Sequence, residues 1–311
     1  MQHAIRRFTL AALLVMSAPV VVRAQDTAKV VQRGTSTRDP ATGDTVTVVR
    51  LRDGSVLFGR VLEQDSTRVR MQTMGGTQID VQRDQITSMS RTRGRRVGNE
   101  FWAEDPNGTR LLFTSTGRSL GKGEGYVSAY FLFFPFVAYG VTDRFTIAGG
   151  TPVIPGLIGK VFYVAPKLTV VETTHASYAI GALSFAVTEA VSDGTFGLLY
   201  GVGTWGNRDN AFTAGAGWGY RWGGASSELS SAPLIVLGGE TRVGRRVKLV
   251  TENWFYTGSG ANGGIISGGV RFIGDRLSSD LGLLGVFGGG GSLGCCLPTV
   301  NFVWNFGRKR R

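Results

Sequence analysis

Residues 211–222 read Ala-Phe-Thr-Ala-Gly-Ala-Gly-Trp-Gly-Tyr-Arg-Trp. Every second position, from Phe212 through Ala214, Ala216, Trp218 and Tyr220 to Trp222, is apolar. The interleaved set is Thr213, Gly215, Gly217, Gly219 and Arg221. A period of two marks a strand with two unlike faces, and here the second face decides the fold class. In a soluble sandwich the face turned from the core meets water and tends to carry Lys, Glu, Thr and Gln. Here it carries three glycines, one threonine and one lone charge. Small residues on one side let a sheet curl about a narrow axis, and the bulky side then needs an apolar solvent. Hydrocarbon offers no partner to a free sheet edge, so such a wall has to close on itself.

The theme repeats from about Thr109 to Phe306. In 196–202, Phe196, Leu198, Tyr200 and Val202 alternate with Gly197, Leu199 and Gly201; in 300–306, Val300, Phe302, Trp304 and Phe306 alternate with Asn301, Val303 and Asn305. About thirteen runs fit the pattern, the first at 109–115 and the next two at 125–133 and 136–142, either side of the apolar Phe134-Pro135 break. Bacterial single-chain barrels have even strand numbers; merging at that break, or dropping 109–115, gives an antiparallel barrel of about 12 strands within a range of about 10–14. Turn chemistry at Thr142-Asp143-Arg144, Asn207–Asn210 and Gly274-Asp275-Arg276 joins the runs as hairpins, and Gly288 through Cys296 is expected as a longer loop. Glycine, 47 of 311 residues, is about twice its usual share, without collagen's three-residue period. Aromatic and β-branched residues are too plentiful for a disordered chain.

The N-terminal third has another composition. Residues 1–24 read as a secretory signal: Arg6 and Arg7, an apolar run from Phe8 to Val22, then a cleavage site after Ala24. Residues 25–45 are expected as a flexible leader. Residues 46–91 hold five short strand signals, with Asp53-Gly54 as a hairpin dipeptide. Residues 92–108, opening on Arg91-Thr92-Arg93-Gly94-Arg95-Arg96, are expected as a basic linker, and 307–311 as a basic tail. The formal charge is +12; the signal carries Arg6, Arg7 and Arg23 and no acid, so the remainder stands near +9. That balance favours anionic partners, and export argues against nucleic acid. Arg50, Arg60, Arg68 and Arg70 are the candidate anion face.

The 46–91 segment, through its Asp53-Gly54 turn, Gly59 and the closing Ile86 strand, resembles Sm-like and SH3-like β domains. It lacks the RNA-binding signatures of Sm proteins, so RNA binding is not carried over. The leader, the alternating strands and the ending "PTVNFVWNF" resemble bacterial outer membrane β-barrel proteins. That resemblance implies an outer membrane location in a Gram-negative bacterium, lipid as solvent, a periplasmic N-terminal domain, and an assembly machinery that reads the last strand at Phe302, Trp304 and Phe306. The pattern departs from the family's in continuing past Phe306.

Six charges interrupt the apolar or glycine-rich runs: Lys167, Arg221, Glu240, Lys248, Glu252 and Arg271. Facing lipid at mid-depth would cost about 2–4 kcal/mol for each Lys or Arg, so they are expected to face the lumen. A turn at Val243-Gly244-Arg245 would set Glu240 opposite Lys248. An ion-pair network that plugs the lumen is the first reading, a selectivity lining for a small pore the second. No catalytic, cofactor or metal residues are assigned. His175, the sole histidine after the leader, sits in a turn near Ser177 with no third partner for a barrel lipase. Cys295 and Cys296 are adjacent, and neighbouring cysteines rarely reach disulfide geometry. Gly121-Lys122-Gly123-Glu124-Gly125 lacks phosphate-loop spacing. The expected function is a non-enzymatic outer membrane barrel, structural or narrow-channel. The alternative is an anchor whose basic N-terminal domain docks an anionic envelope polymer or a partner protein.

Overall fold

The computed structural model describes residues 44–307 except 99, 188–194, 224–226, 259–260 and 289–290. The signal, nearly all of the leader, and the tail beyond Gly307 lie outside the described residues. Six strands come first: β1 (Asp44–Leu51), β2 (Val56–Gln64), β3 (Arg68–Thr73), β4 (Gln78–Gln82), β5 (Ile86–Val97) and β6 (Glu100–Ala103). They form one antiparallel sheet in the order β4-β3-β2-β1-β5-β6. Gly54 supplies the positive φ of the first hairpin, +87°, and the Asp53 carboxylate accepts the Ser55 N–H. Gly59 lies so close to the neighbouring strand that a Cβ would sit 2.1 Å from the Gln72 carbonyl. Val49, Met71 and Val81 are the sheet's buried core. Residues 92–103, expected as linker, instead complete β5 and form β6. Their charges alternate with Thr92, Gly94 and Val97, a strand pattern that the density of arginine obscures.

Twelve strands then close a barrel: β7 (Glu124–Tyr130), β8 (Phe134–Gly140), β9 (Phe145–Gly150), β10 (Val161–Glu172), β11 (Ala176–Val187), β12 (Thr195–Gly206), β13 (Asn210–Trp222), β15 (Leu234–Gly244), β16 (Val247–Gly258), β17 (Ala261–Phe272), β18 (Leu277–Gly288) and β19 (Gly291–Gly307). A two-residue ribbon, β14 (Glu228–Leu229), pairs only with the end of β13. β19 pairs with β7, Trp304 opposite Val127, and this seam joins the last strand to the first. Of the two routes to twelve, the structure takes the second: 109–115 is not a wall strand, and Phe131-Leu132 turns sharply between β7 and β8 with φ of 51° and 64°. Residues 291–296, expected as part of a longer loop, are strand: β19 begins at Gly291 and carries two register shifts against β18. Cys296, with φ +73°, is disulfide-bonded.

The wall is apolar outside and polar inside. On β19, Trp304 is 56% exposed, whereas Asn301 and Val303 are fully buried. Leu168, Ile180, Phe212, Leu249, Ile266 and Leu283 continue the exposed belt, while Thr169, Thr204, Thr213, Ser267 and Thr299 are buried on the opposite face. A folded chain that hides threonine and shows leucine has its apolar side toward a non-aqueous solvent. β12 departs from the bulky-out rule. Val202 and Thr204 are buried, Thr204 meets Thr213 hydroxyl to hydroxyl at 2.9 Å, and Leu199 and Trp205 are exposed. Leu198, Tyr200 and Val202 therefore share the inward face with Thr204, while Phe196, on the same parity near the strand end, is 47% exposed. Substituting Leu283→Arg, at the middle of β18, is expected to cost about 2–4 kcal/mol; Leu277→Arg, at the strand end, about 0–1 kcal/mol. Urea unfolding in lipid vesicles reads both, and equal small losses would mean that no hydrocarbon faces β18.

Candidate functional site, a lumen filled by its own chain

Between β6 and β7 the chain does not pass outside the barrel. Residues 105–120 run through its interior, and only Pro106 and Phe113–Ser115 among them are not fully buried. The segment folds back on itself at Leu111–Thr114: the Leu111 N–H donates to the Thr114 carbonyl at 2.9 Å, and Thr116 N–H to Thr109 O at 2.9 Å. This is the stretch the sequence pattern took as a first wall strand. Its Leu-Leu-Phe triplet is apolar for the barrel's interior rather than its exterior: Leu111 and Leu112 pack on Val250.

The backbone of such an inserted loop has no sheet to pair with, and the wall supplies its partners. The Glu252 carboxylate accepts the N–H groups of Phe113 and Thr114, at 2.9 and 3.0 Å, and the Thr114 hydroxyl at 2.6 Å. Lys167 Nζ donates to the carbonyls of Thr116 and Arg118 at 3.1 and 2.7 Å. Arg271 donates to those of Asn107, Arg110 and Leu111. Asn301 and Tyr130 reach the carbonyls of Leu112 and Phe113. Unpaired backbone groups in a dry interior are costly, so these wall residues are what lets an irregular segment lie there.

Charge pairing does the rest. Arg110 on the loop and Arg271 on β17 share Asp280 of β18, with Nη2–Oδ2 at 2.8 Å and Nε–Oδ1 at 2.7 Å. Arg118 on the loop binds Glu240 at 2.6 Å, and Glu240 in turn binds Lys248 at 3.0 Å. Lys248 closes the set on the loop's Asp105 at 2.7 Å. Glu240 does not stand opposite Lys248 as expected. Its cross-strand neighbour is Val250, and Lys248 faces Arg242, because the hairpin turns at Arg245-Arg246. The ion pair is diagonal. Buried charges are tolerated only when paired; each of these has a partner of opposite sign, and Arg110 Nε is a buried donor without a hydrogen bond.

Five of the six charges singled out from the sequence, Lys167, Glu240, Lys248, Glu252 and Arg271, therefore meet around one segment. Arg221 does not: it is exposed near the far end of β13, across from Glu228. The loop's own Asp105, Arg110 and Arg118, with Asp280 on the wall, were missed. The Arg110 and Arg118 spacing gave no periodic signal, and Asp280 sits beside the turn-like Ser278-Ser279 pair. The four arginines of the candidate anion face are mostly neutralised. Arg50 pairs with Asp275, Arg68 with Asp65, and Arg70 with Asp80 and Glu63; Arg60 is exposed. Asp65 takes hydrogen bonds from Thr67 and Arg68, which hold its carboxyl well below the usual range. His175 is exposed in its turn while Ser177 is buried on the inner face, so the two do not converge. Phe302, Trp304 and Phe306 all lie on the outer face.

The six-stranded sheet is fastened to the barrel's short-turn end. Asp209, in the β12–β13 turn, accepts Arg95 of β5 at 2.5 Å and Arg242 of β15 at 2.9 Å. Burial alone would push the Asp209 carboxyl up, but hydrogen bonds from Arg242 and Arg95 hold it below the usual range. The Trp102 ring lies within 5.4 Å of both guanidinium carbons, a cation–π arrangement, and Arg242 also donates to Ala103 O at 2.6 Å.

Fold and site together define a class: a closed twelve-stranded antiparallel barrel, apolar outside, whose lumen is occupied by a segment of the same chain. No family model matches the chain, and no curated protein matches it. Among solved structures it is similar to the KdgM porin in complex with disordered oligogalacturonate, at 5% identity and TM-score 0.40 over 59% of this chain and 97% of that one. It is similar to a loop-deleted form of OmpT, an outer membrane protein of Vibrio cholerae, at 10% identity and TM-score 0.38 over 84% and 96%. A third is the outer membrane protein OprD from Pseudomonas aeruginosa, at 10% identity and TM-score 0.33 over 86% and 94%.

Proposed function

We propose that the chain is an outer membrane β-barrel that holds its lumen shut with residues 105–120 and carries a small β sheet on its periplasmic side. One observation carries the reading: a continuous buried network, from Lys167 through Arg118, Glu240, Lys248 and Asp105 to Arg271 and Asp280, that ties the inserted segment to the wall. The connections support this sidedness. Those at the sheet end are short, such as 173–175 and 207–209, and longer ones, such as 151–160, lie at the other end; short turns are periplasmic in such barrels. The sheet's order, a meander whose β5 returns to β1, supports an SH3-like domain. The role is non-enzymatic. As a test, the intact chain is reconstituted in planar bilayers; no resolvable current is expected, and sustained stepwise currents would overturn the sealed reading.

A second reading is the anchor: the barrel holds the basic N-terminal sheet at the membrane, where it docks an anionic envelope polymer or partner. The positive balance of the chain favours it.

A further inference from the structure

A cavity of about 1090 Å³ lies between the six-stranded sheet and the short-turn end of the barrel. Val48, Phe58 and Phe101 give it an apolar wall on the sheet side, and Leu120, Ile273 and Phe306 on the barrel side. Around these the polar lining is unbalanced: eight arginines against five carboxylates. The carboxylates are engaged. Glu104 binds Arg208, Asp275 binds Arg50, Asp105 binds Lys248, Glu172 accepts the Ser119 hydroxyl, and Glu124 accepts the Gly121 N–H. The arginine surplus is not. Among the described residues no hydrogen bond, ion pair or ring contact engages the guanidinium groups of Arg91, Arg245, Arg246 or Arg276.

These four come from three separate places: β5, the β15–β16 turn and the β17–β18 turn. A single strand of solvated arginines would be an ordinary surface. Three elements that converge on one concave, partly apolar wall focus positive potential into it. The mutual repulsion of the four has little internal answer, since Glu104, Asp105 and Asp275 are already paired with other cations. Each guanidinium offers a planar fork of donors matched to oxyanions. One carboxylate has too few oxygens to meet several forks. A phosphate group carries about −1.5 to −2 charges and three strong acceptor oxygens.

We propose that this chamber is a binding site for a phosphate-bearing ligand with two or more negative charges, held by Arg91, Arg245, Arg246 and Arg276. The four arginines lie at the short-turn end and take no part in the buried network of the lumen, so the site stands whether or not the barrel conducts. The same chemistry is offered by a soluble phosphate ester and by a phospholipid headgroup at the adjacent membrane surface.

Pyrophosphate titrated calorimetrically into the full chain in zwitterionic micelles tests it. Saturable binding is expected, weakening as salt is raised. The combined variant Arg91→Gln/Arg245→Gln/Arg246→Gln/Arg276→Gln is expected to bind about thirtyfold more weakly, each exposed charge counting for a fraction of a decade. Arg60→Gln, on the sheet but outside the chamber lining, is expected to bind as the parent does. All four changed side chains are solvent-exposed, and unaltered heat-modifiable mobility on gels confirms that the barrel remains folded. No saturable binding by the parent, or equal affinity in the fourfold variant, would overturn the proposal. Repeating the titration in micelles doped with phosphatidylglycerol separates the two sources, because a headgroup occupant lowers pyrophosphate affinity by competition and a soluble one does not; both results retain the site.

Discussion

Excising residues 106–119, and joining Asp105 to Leu120 through a short glycine-serine bridge, is expected to turn a silent barrel into a conducting one. The inserted segment is what fills the lower lumen, and its removal exposes the wall charges to water instead of stranding them in a dry interior. Lys167, Lys248 and Arg271 would then face Glu240, Glu252 and Asp280 across a hydrated bore. With three charges of each sign, weak ion selectivity is expected. In planar bilayers the variant should give discrete steps that grow with salt, where the parent gives none. The step from no current to open-pore current is the largest change that any edit of this chain is expected to make. The wall itself should survive, because its hydrogen-bonded ladders and outer belt do not depend on the loop. Continued silence from a folded variant would mean that the wall's own inward aromatics, such as Tyr130, Tyr163 and Tyr200, close the bore without help. The plug reading would then fail even though the barrel stood.

The wall was legible in the sequence because a strand exposed to two solvents writes its faces in alternate residues. Val300 to Phe306 shows this in full: four bulky residues out, Asn301 and Val303 in. The alternation does not say which face is which, and β12 shows the consequence. Leu198, Tyr200 and Val202 look like a lipid face, yet they share the inward face with the buried Thr204. The inserted loop itself was not legible as such. Leu111-Leu112-Phe113 carries the hydrophobicity of a short strand, and nothing local distinguishes an apolar turn packed inside a barrel from an apolar run in its wall. What the sequence did hold was the need for the loop. Lone charges such as Lys167 and Glu252 on a glycine-rich inner face require buried partners, and the wall's other inner residues do not provide enough of them. The partners came from residues 105–118, about 50 to 170 positions away, a distance that strand-by-strand reading does not cross.

Neutralising one carboxylate should expose how dry that interior is. Asp280→Asn keeps size and shape but leaves Arg110 and Arg271, both fully buried, without the anion they share. Removing one member of a buried ionic set costs about 3–5 kcal/mol, because the charges left behind are uncompensated. Arg271 keeps its carbonyl contacts to Asn107, Arg110 and Leu111 and a longer 3.6 Å pair with Asp105, which is already held by Lys248 at 2.7 Å, so two guanidiniums are left with a share of one carboxylate. A drop of that size in urea unfolding within lipid vesicles is the expected result. The companion variant replaces the whole set with apolar residues of similar bulk, Arg110→Leu/Arg271→Met/Asp280→Leu. It should recover the part of the loss that comes from uncompensated charge, since replacing a buried ionic set is often neutral or stabilising, but not the part owed to the carbonyls of Asn107, Leu111 and Leu112, which lose their donors. The pair of measurements separates two accounts of the same contacts. If charge pairing in a dry lumen holds the loop, the single change is severe and the triple change milder. If water reaches the network, Asp280→Asn should cost no more than about 1 kcal/mol, as an exposed pair does. The lumen would then be a wetted passage with a loop in it rather than a sealed core.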